Sequence, residues 1–245
     1  MSNGINDQLM LISGFSGTGK SASLRNIPNQ DRWIYCNCEA GKRLPFKNNF
    51  KTVKVNDPEL VLAAFDEVIE HPDDYDGIIV DSLTFLMDMY ESVYVLTSHN
   101  TMKGWSDYQQ FFKTLLQDRV VRVNKPVIFT AHVADQLDEK EMAVKTAVPV
   151  KGALKNNGVE SYFSVNVAAK VVPLKELAEY ENDLLHITEE DKDLGYKYVF
   201  QTRKTAKTIG ERIRAPMGMF DKAHTYIDND VNMLLNYLND YYGVN

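Results

Sequence analysis

The fold is indicated by one short stretch, Gly14-Phe15-Ser16-Gly17-Thr18-Gly19-Lys20-Ser21. This stretch matches the pattern G-x-x-x-x-G-K-[ST] at every specified position. The apolar run at residues 9–12 predicts a buried strand before it, and residues 21–25 can open a helix after it. A phosphate-binding loop requires this strand–loop–helix context. Its glycines permit a tight turn that directs several backbone N–H groups at one phosphate. The sequence therefore predicts a nucleotide site near its start.

Each part of this loop has an expected role toward ATP. Lys20 is expected to contact the β- and γ-phosphates, and the Ser21 hydroxyl is expected to ligate Mg²⁺. The positive end of the following helix dipole favours phosphate at the same place. The candidate nucleotide contacts are Gly14, Phe15, Ser16, Gly17, Thr18, Gly19, Lys20 and Ser21. The alternative is a glycine-rich turn that binds nothing.

Composition limits the function classes that fit. The 245 residues include 44% hydrophobic and 25% charged residues, as in ordinary globular proteins, and the formal net charge is −7. That acidity argues against a protein that coats DNA without regard to sequence, but it does not exclude a local basic channel. No apolar run is long enough to span a membrane and the first residues are polar, so we expect a cytoplasmic protein without a membrane partner.

Strand and helix signals alternate in the first half of the chain. Buried strands are predicted at residues 33–38, 77–82 and 126–131, and amphipathic helices at residues 58–70, 83–96 and 105–123. This alternation, with strands that are apolar on both faces, favours a mostly parallel sheet covered by helices. The expected fold class is α/β. Cys36 and Cys38 lie two apart on a predicted strand and are interpreted as small core residues.

The second half departs from this alternation. Residues 133–160 are polar, carry four lysines and show no helical period, which predicts a long functional or mobile loop. Residues 98–104 predict another loop. Further elements are predicted as strands at 162–172 and 196–203 and as a helix at 229–242, capped by Asn229 or Asp230. Without a convincing linker, residues 1–245 are expected to form a single domain with a core at about 8–225.

Three polar side chains follow predicted strands. Asp81 ends GIIVD, Glu39 follows CNC, and His132 ends VIFTAH. Because the carboxyl ends of parallel strands face the ligand crevice, we expect all three at one edge of the sheet. There Asp81 is a candidate Mg²⁺ ligand, Glu39 a candidate to polarise the attacking water, and His132 a candidate sensor of the terminal phosphate. The alternatives are a helix cap, a solvated turn carboxylate and a structural histidine.

Together these parts resemble the RecA-type P-loop ATPase core. GFSGTGKS, IYCNCEAG, GIIVDSLT and VIFTAH occur in the family's order, and SYFSVNVAAKVV with YVFQTRK resembles the antiparallel hairpin that follows the family's second DNA-binding loop. The stretch RKTAKTIGERIRAPMGMFD is most similar to compact phage-encoded RecA-like proteins that act in single-strand annealing and recombination. The resemblance covers about residues 8–225.

The resemblance implies roles for residues that match the family's motifs. Glu39 becomes the catalytic carboxylate and His132 the phosphate sensor, although bacterial members carry Gln where His132 stands. Arg203 and Lys204 match the basic pair that contacts ATP in the neighbouring subunit. The basic stretch is longer here, so Arg212 and Arg214 compete for that role. The alternative for these residues is a solvated basic strand.

The resemblance also implies a DNA site. Residues around 97–106 correspond to the family's first DNA loop and residues 133–160 to its second. The candidate DNA contacts are Lys103, Trp105, Lys145, Lys151 and Lys155. An aromatic ring beside a cation can stack a base while the cation neutralises phosphate. Alternatively, Trp105 packs on its own helix and the lysines are solvated.

The expected function is therefore a Mg²⁺-dependent, DNA-stimulated ATPase that binds single-stranded DNA and promotes annealing or strand exchange. The expected assembly is a homo-oligomeric ring or filament with ATP at subunit interfaces, acting in the host cytoplasm if phage-encoded, and a single-strand binding protein is a candidate partner. The alternatives are a helicase or translocase motor with the same core, a small-molecule P-loop kinase, and a nucleotide-dependent switch without a DNA role.

Overall fold

A computed structural model describes residues 6–139, 142–156 and 158–244. Its strands are β1 Leu9–Gly14, β2 Trp33–Asn37, β3 Lys51–Lys54, β4 Gly77–Asp81, β5 Val127–His132, β6 Ala134–Asp138, β7 Ala143–Ala147, β8 Val165–Pro173, β9 Tyr196–Gln201 and β10 Tyr226–Asp228. Its α-helices are α1 Glu59–Glu70, α2 Leu83–Tyr90, α3 Thr101–Lys113, α4 Val120–Val123, α5 Leu174–Leu177, α6 Glu189–Leu194 and α7 Val231–Tyr242.

Shorter helices complete the chain. Two π-helical turns, Glu91–Val95 and Thr114–Arg119, follow α2 and α3 directly. The 3₁₀ helices are Ser21–Asn26, Gln30–Arg32, Gly152–Asn156, Val159–Tyr162, Ala206–Thr208 and Ala223–Thr225. In the described parts of the chain, no helix is both long and apolar enough to cross a membrane.

Eight strands form one sheet in the order β10-β9-β8-β1-β5-β4-β2-β3. The strands from β8 to β3 are parallel, whereas β9 pairs antiparallel with both β8 and β10. β6 and β7 form a separate antiparallel hairpin. The α/β fold with a mostly parallel sheet and an antiparallel extension is therefore confirmed.

The sheet is covered on both faces, which explains its apolar strands. In β1, Leu9 and Leu11 pack into the core formed with α1, α2 and α3. Met10 and Ile12 point the other way, into the core formed with α7. Successive side chains of a strand alternate between faces, so only a strand buried on both sides has six buried residues in a row, as β1 does.

Two helices show how the sequence sets their limits. α7 buries Val231, Leu234, Leu235 and Leu238 along one face. At its start, the Asp230 carboxylate accepts a hydrogen bond from the Met233 backbone N–H at 3.2 Å. Of the two cap candidates in the sequence, Asn229 and Asp230, the cap is therefore Asp230. The helix after the phosphate loop, in contrast, is only the six-residue 3₁₀ segment Ser21–Asn26.

Two segments predicted as loops, residues 98–104 and residues 133–160, contain secondary structure that the sequence did not predict. Helix α3 begins at Thr101, inside the segment predicted as a loop, because the Asn100 side chain accepts the Lys103 backbone N–H at 3.1 Å and caps it. Residues 133–160 contain the β6–β7 hairpin and two 3₁₀ helices instead of a structureless loop. Residues 140, 141 and 157 of that prediction lie outside the described residues.

Candidate functional site

The predicted phosphate loop follows β1 and turns around the Lys20 side chain. The Lys20 ammonium donates to the carbonyls of Gly14 at 2.9 Å and Phe15 at 2.7 Å. Burial lowers the pKa of Lys20 to about 8, with Asp81 and Glu39 opposing that shift. The lysine charge is therefore desolvated at the place where phosphate charge would replace the lost hydration.

Asp81 ends β4 as a buried carboxylate whose two oxygens are both engaged. One accepts the Tyr35 hydroxyl at 2.8 Å, and the other accepts the Thr130 hydroxyl. Burial, and then the Asp81 charge, raise the pKa of Tyr35 far above its usual range, so Tyr35 remains a donor. These bonds fix the direction of the carboxylate. The Asp81–Ser82 peptide bond is cis.

Glu39 follows β2, and its carboxylate contacts two basic side chains, His132 and Lys42. Its Oε1 lies 3.3 Å from His132 Nε2, and its Oε2 accepts a hydrogen bond from Lys42 Nζ at 3.3 Å. The hydrogen bond with His132, followed by the influence of Lys42, lowers the pKa of Glu39 despite its partial burial. Glu39 therefore stays ionised near neutral pH, as a group that polarises water must.

His132, at the end of β5, lies between the loop lysine and this carboxylate. Its Nδ1 is 3.5 Å from Lys20 Nζ. Since the ammonium can only donate, Nδ1 accepts, and the proton is assigned to Nε2, which donates to Glu39. Phe85 packs edge-on against the ring with centroids 5.6 Å apart. The result is a continuous polar chain from Lys20 through His132 to Glu39.

These groups share one cavity of about 700 Å³. The predicted site residues that line it are Ser16, Gly17, Gly19, Lys20, Ser21, Glu39, Asp81 and His132. Gly14, Phe15 and Thr18 line a separate cavity of about 330 Å³ on the other side of the loop. The strand ends therefore meet at one sheet edge, as parallel topology requires.

Magnesium fits this cavity only together with a bound phosphate. Ser21 and Asp81 both line it and supply the oxygen ligands that Mg²⁺ prefers. Among residues 6–139, 142–156 and 158–244, no group of three or more His, Cys, Asp or Glu side chains is placed to hold a metal by itself. Phosphate oxygens and water would therefore complete the coordination shell.

The four basic candidates lie outside this cavity. Arg203 donates to the Phe220 carbonyl at 3.0 Å, and Lys204 donates to the Ile209 carbonyl at 3.4 Å. Arg212 lies 3.6 Å from the buried Glu160 carboxylate. Arg214 forms a backbone bridge with Asn166. Within one chain none of them lines the phosphate cavity, and their action on a neighbouring subunit stays a prediction.

The DNA candidates are divided between two surfaces. Near the start of α3, Lys103 pairs with Asp107 at 2.6 Å, and Trp105 is half-buried with its ring edge-on to Tyr108 at 5.3 Å. Lys151 and the exposed Lys155 flank Gly152, at which a methyl group would lie 3.1 Å from the Trp105 ring.

Ion pairs also occupy two further lysines expected to contact DNA. Lys151 pairs with Asp88 and Glu91. Lys145 lies apart from the start of α3, on the β6–β7 hairpin, and pairs with Asp138 at 2.6 Å. Binding of phosphate by either lysine would exchange one anionic partner for another.

Sequence reasoning missed several residues that line the cavity or support its side chains. Tyr35 and Thr130 hold Asp81, and Lys42 contacts Glu39. Tyr198 and Asn229 form the wall beyond Gly19. Tyr35 and Thr130 lie on predicted strands beside the phosphate edge, a signal that could have found them. Asn229 was considered only as a helix cap.

Comparison with known proteins assigns the chain to a family. A family model described as AAA domain matches residues 6–210, which include the phosphate loop, Glu39, Asp81 and His132. The comparison with curated proteins gave no match. The matched span covers most of the chain and agrees with the phosphate loop and the parallel sheet. The chain therefore belongs to the AAA domain family of P-loop ATPases.

Proposed function

We propose that this protein hydrolyses ATP with Mg²⁺ and that the nucleotide state controls its binding of single-stranded DNA during annealing or strand exchange. The AAA domain match supports nucleotide-dependent activity in general. The observation that carries the finer proposal is the polar chain from Lys20 through His132 to Glu39 in one cavity.

This polar chain supports hydrolysis because it places a cation, Lys20, at the phosphate side and a carboxylate, Glu39, at the position where the attacking water would lie. Lys20 holds the terminal phosphate, while Glu39 orients a water and accepts its proton as the oxygen attacks the γ-phosphorus. The bond from that phosphorus to the oxygen that bridges the β- and γ-phosphates breaks, and ADP leaves with the bridging oxygen. The ionised state of Glu39 suits that role, since its pKa is lowered by the hydrogen bond with His132. Mg²⁺ would supply charge neutralisation beside Ser21 and Asp81.

The position of His132 supports a link to the hairpin. β5 ends at His132 and β6 begins at Ala134, so Val133 alone separates them. The His132 backbone N–H donates to the Thr84 hydroxyl at 3.3 Å, which fixes the ring's attachment point. A phosphate that draws the His132 ring toward itself would therefore pull on the strand end that continues through Val133 into the hairpin.

The hairpin and the neighbouring basic residues are the surface that we propose for DNA. Leu137 and Val144 are directly paired across the hairpin and are 64% and 55% exposed. Exposed apolar side chains can contact unstacked bases, while Lys145 on the same hairpin and the exposed Lys155 can neutralise phosphates. Trp105 and Lys103 at the start of α3 extend the proposed surface.

Assembly is part of the proposal. Arg203 and Lys204 are exposed and lie away from the cavity of their own chain, which fits a contribution to the site of a second copy. We therefore propose a homo-oligomer with ATP between subunits, working with single-stranded DNA and a single-strand binding protein in the cytoplasm.

DNA affinity across a salt series tests this function. The protein with the unchanged sequence, here called the parent, should bind single-stranded DNA more tightly with a non-hydrolysable ATP analogue than with ADP. Lys145→Ala/Lys151→Ala/Lys155→Ala should weaken binding and flatten the dependence on salt, because fewer counterions are released. Lys175→Ala/Lys192→Ala/Lys222→Ala removes the same charge elsewhere on the surface and serves as the matched control.

Two results would count against the DNA role. An unchanged affinity and salt slope in the first triple variant would remove these lysines from the site. Absence of nucleotide-dependent DNA binding by the parent would remove the recombination role altogether. Phosphate transfer to a small acceptor would then favour a kinase.

A further inference from the structure

The phosphate cavity continues past Gly19 to a second wall. Gly19 has φ +88°, and a methyl group there would lie 3.1 Å from Tyr198 Cδ1 and 3.2 Å from Asn229 Oδ1. The Tyr198 ring and the Asn229 amide therefore lie directly against the phosphate loop. Both residues line the same cavity as Lys20 and Glu39.

Asn229 has an unsatisfied donor on this wall. The residue is only 4% exposed, and within the described part of the chain its Nδ2 has no hydrogen-bond partner. A buried amide nitrogen without an acceptor is costly, and such groups in folded proteins call for a specific reason. A ligand acceptor would satisfy it.

Contacts with the helix after the phosphate loop hold Asn229 in place. Arg25 Nη1 donates to the Asn229 carbonyl at 2.9 Å, and Asn26 Nδ2 donates to Asp230 at 2.5 Å. The wall is thus tied to the same segment that follows Lys20 and Ser21. The backbone that carries the Asn229 amide is therefore positioned before any ligand binds, which reduces the entropy cost of using that amide.

The order of strands decides which end of a nucleotide meets this wall. Glu39 lies just after β2, Asp81 ends β4 and His132 ends β5, and all three strands lie on one side of β1 in the sheet. Tyr198 lies in β9 and Asn229 follows β10, on the opposite side of β1. A triphosphate whose terminal phosphate faces Glu39 therefore directs its nucleoside toward Tyr198 and Asn229.

We propose that Tyr198 and Asn229 bind the base of the nucleotide, an inference that rests on the proposed ATPase function. The base stacks on the Tyr198 ring, which is 42% exposed, and Asn229 Nδ2 donates to a ring nitrogen of that base. Aromatic rings stack on any base, so the amide supplies the directional contact.

Comparison of two ligands distinguishes binding of the base by Tyr198 and Asn229 from a role in which these residues only support the phosphate loop. Calorimetry would measure the affinity of a non-hydrolysable ATP analogue and of inorganic tripolyphosphate, which has the phosphates but no base. Asn229→Ala should bind the analogue about fivefold more weakly and tripolyphosphate as the parent does. Tyr198→Ala should lose on the order of tenfold for the analogue alone.

Tyr198→Phe is the matched control, because it keeps the ring and should bind both ligands as the parent does. Equal losses for both ligands in Asn229→Ala and Tyr198→Ala would overturn the base site, and so would parental affinity in both. If Asn229→Ala does not fold, the pair Tyr198→Ala and Tyr198→Phe decides. A parent that binds tripolyphosphate as tightly as the analogue overturns the base site but leaves the phosphate loop intact. A parent that binds neither ligand overturns the proposed function as well.

Discussion

At the scale of single residues, the hydrolysis that we propose depends on the charge of Glu39. Glu39→Gln keeps the shape of the side chain but removes the negative charge that polarises water. We expect nucleotide binding near the parental level and a barrier raised by about 3 kcal/mol, the usual effect of losing one preorganised electrostatic group. Phosphate release under single-turnover conditions measures the change. Glu70→Gln, the same change at an exposed position outside the cavity, is the control. A parental rate in Glu39→Gln would make Glu39 a turn residue.

The pH dependence of nucleotide affinity tests Lys20. Burial lowers its pKa to about 8, so in the free protein the ammonium loses its proton as the pH rises through that value. Bound phosphates favour the charged form and raise the pKa, so binding takes up a proton above pH 8. Affinity should therefore fall there, by up to about tenfold per pH unit, and stay level below it.

Calorimetric titration of a non-hydrolysable ATP analogue from about pH 7 to pH 10 measures this slope. Lys20→Arg keeps its charge throughout that range and should lose the slope even if its affinity is lower. A parental affinity that is level to pH 10 would show that the lysine is not desolvated as the structure indicates.

At the scale of elements, the β6–β7 hairpin makes a close backbone contact with Gly210, which lies between the basic residues Arg203 and Arg214. Thr146 N–H donates to the Gly210 carbonyl at 3.1 Å, and a methyl group at Gly210 would lie 2.1 Å from the Val144 carbonyl oxygen. Gly210→Ala should therefore displace the hairpin while the phosphate cavity remains intact.

Hydrogen exchange at the Thr146 amide measures that displacement. Protection should be lost in Gly210→Ala and kept in Ile209→Ala, which alters an exposed neighbour. DNA affinity should fall with the protection. Unchanged exchange in Gly210→Ala would mean that the hairpin is held by its other contacts.

Elements with strong apolar patterns were predictable, and those with polar patterns were not. The buried strands β1, β2, β4 and β5 lie where their apolar runs indicate, so the edge with Glu39, Asp81 and His132 followed from the sequence. The hairpin was missed because its short strands, ADQLD and AVKTA, are stabilised by pairing with each other and not by burial. The start of α3 depends on the Asn100 cap, which composition alone did not reveal.

The parts of the site that depend on distant segments were beyond sequence reasoning. Asn229 meets Gly19 only because the chain returns after β10, more than two hundred residues later. The ion pair of Lys151 with Glu91 likewise joins positions whose proximity no local pattern indicates. Local motifs identified chemistry, and topology determined which side chains surround it.

At the scale of the whole molecule, the proposed oligomer makes a prediction about shared sites. Glu39→Gln protein and Arg203→Ala/Lys204→Ala protein should each be inactive alone, because each lacks one half of every site. Mixing them should restore part of the ATPase activity through interfaces that combine intact halves. The mixture is measured over a range of ratios. Mixed oligomers that form without any recovery would argue against sites shared between subunits.

The ATPase rate of the parent, with and without single-stranded DNA, tests the central claim most directly. We predict Mg²⁺-dependent phosphate release that rises when single-stranded DNA is added, because the hairpin that we propose as the DNA surface begins two residues after His132. Absence of phosphate release under both conditions would contradict the proposed hydrolysis. A rate unaffected by DNA would contradict the proposed link between the cavity and the hairpin.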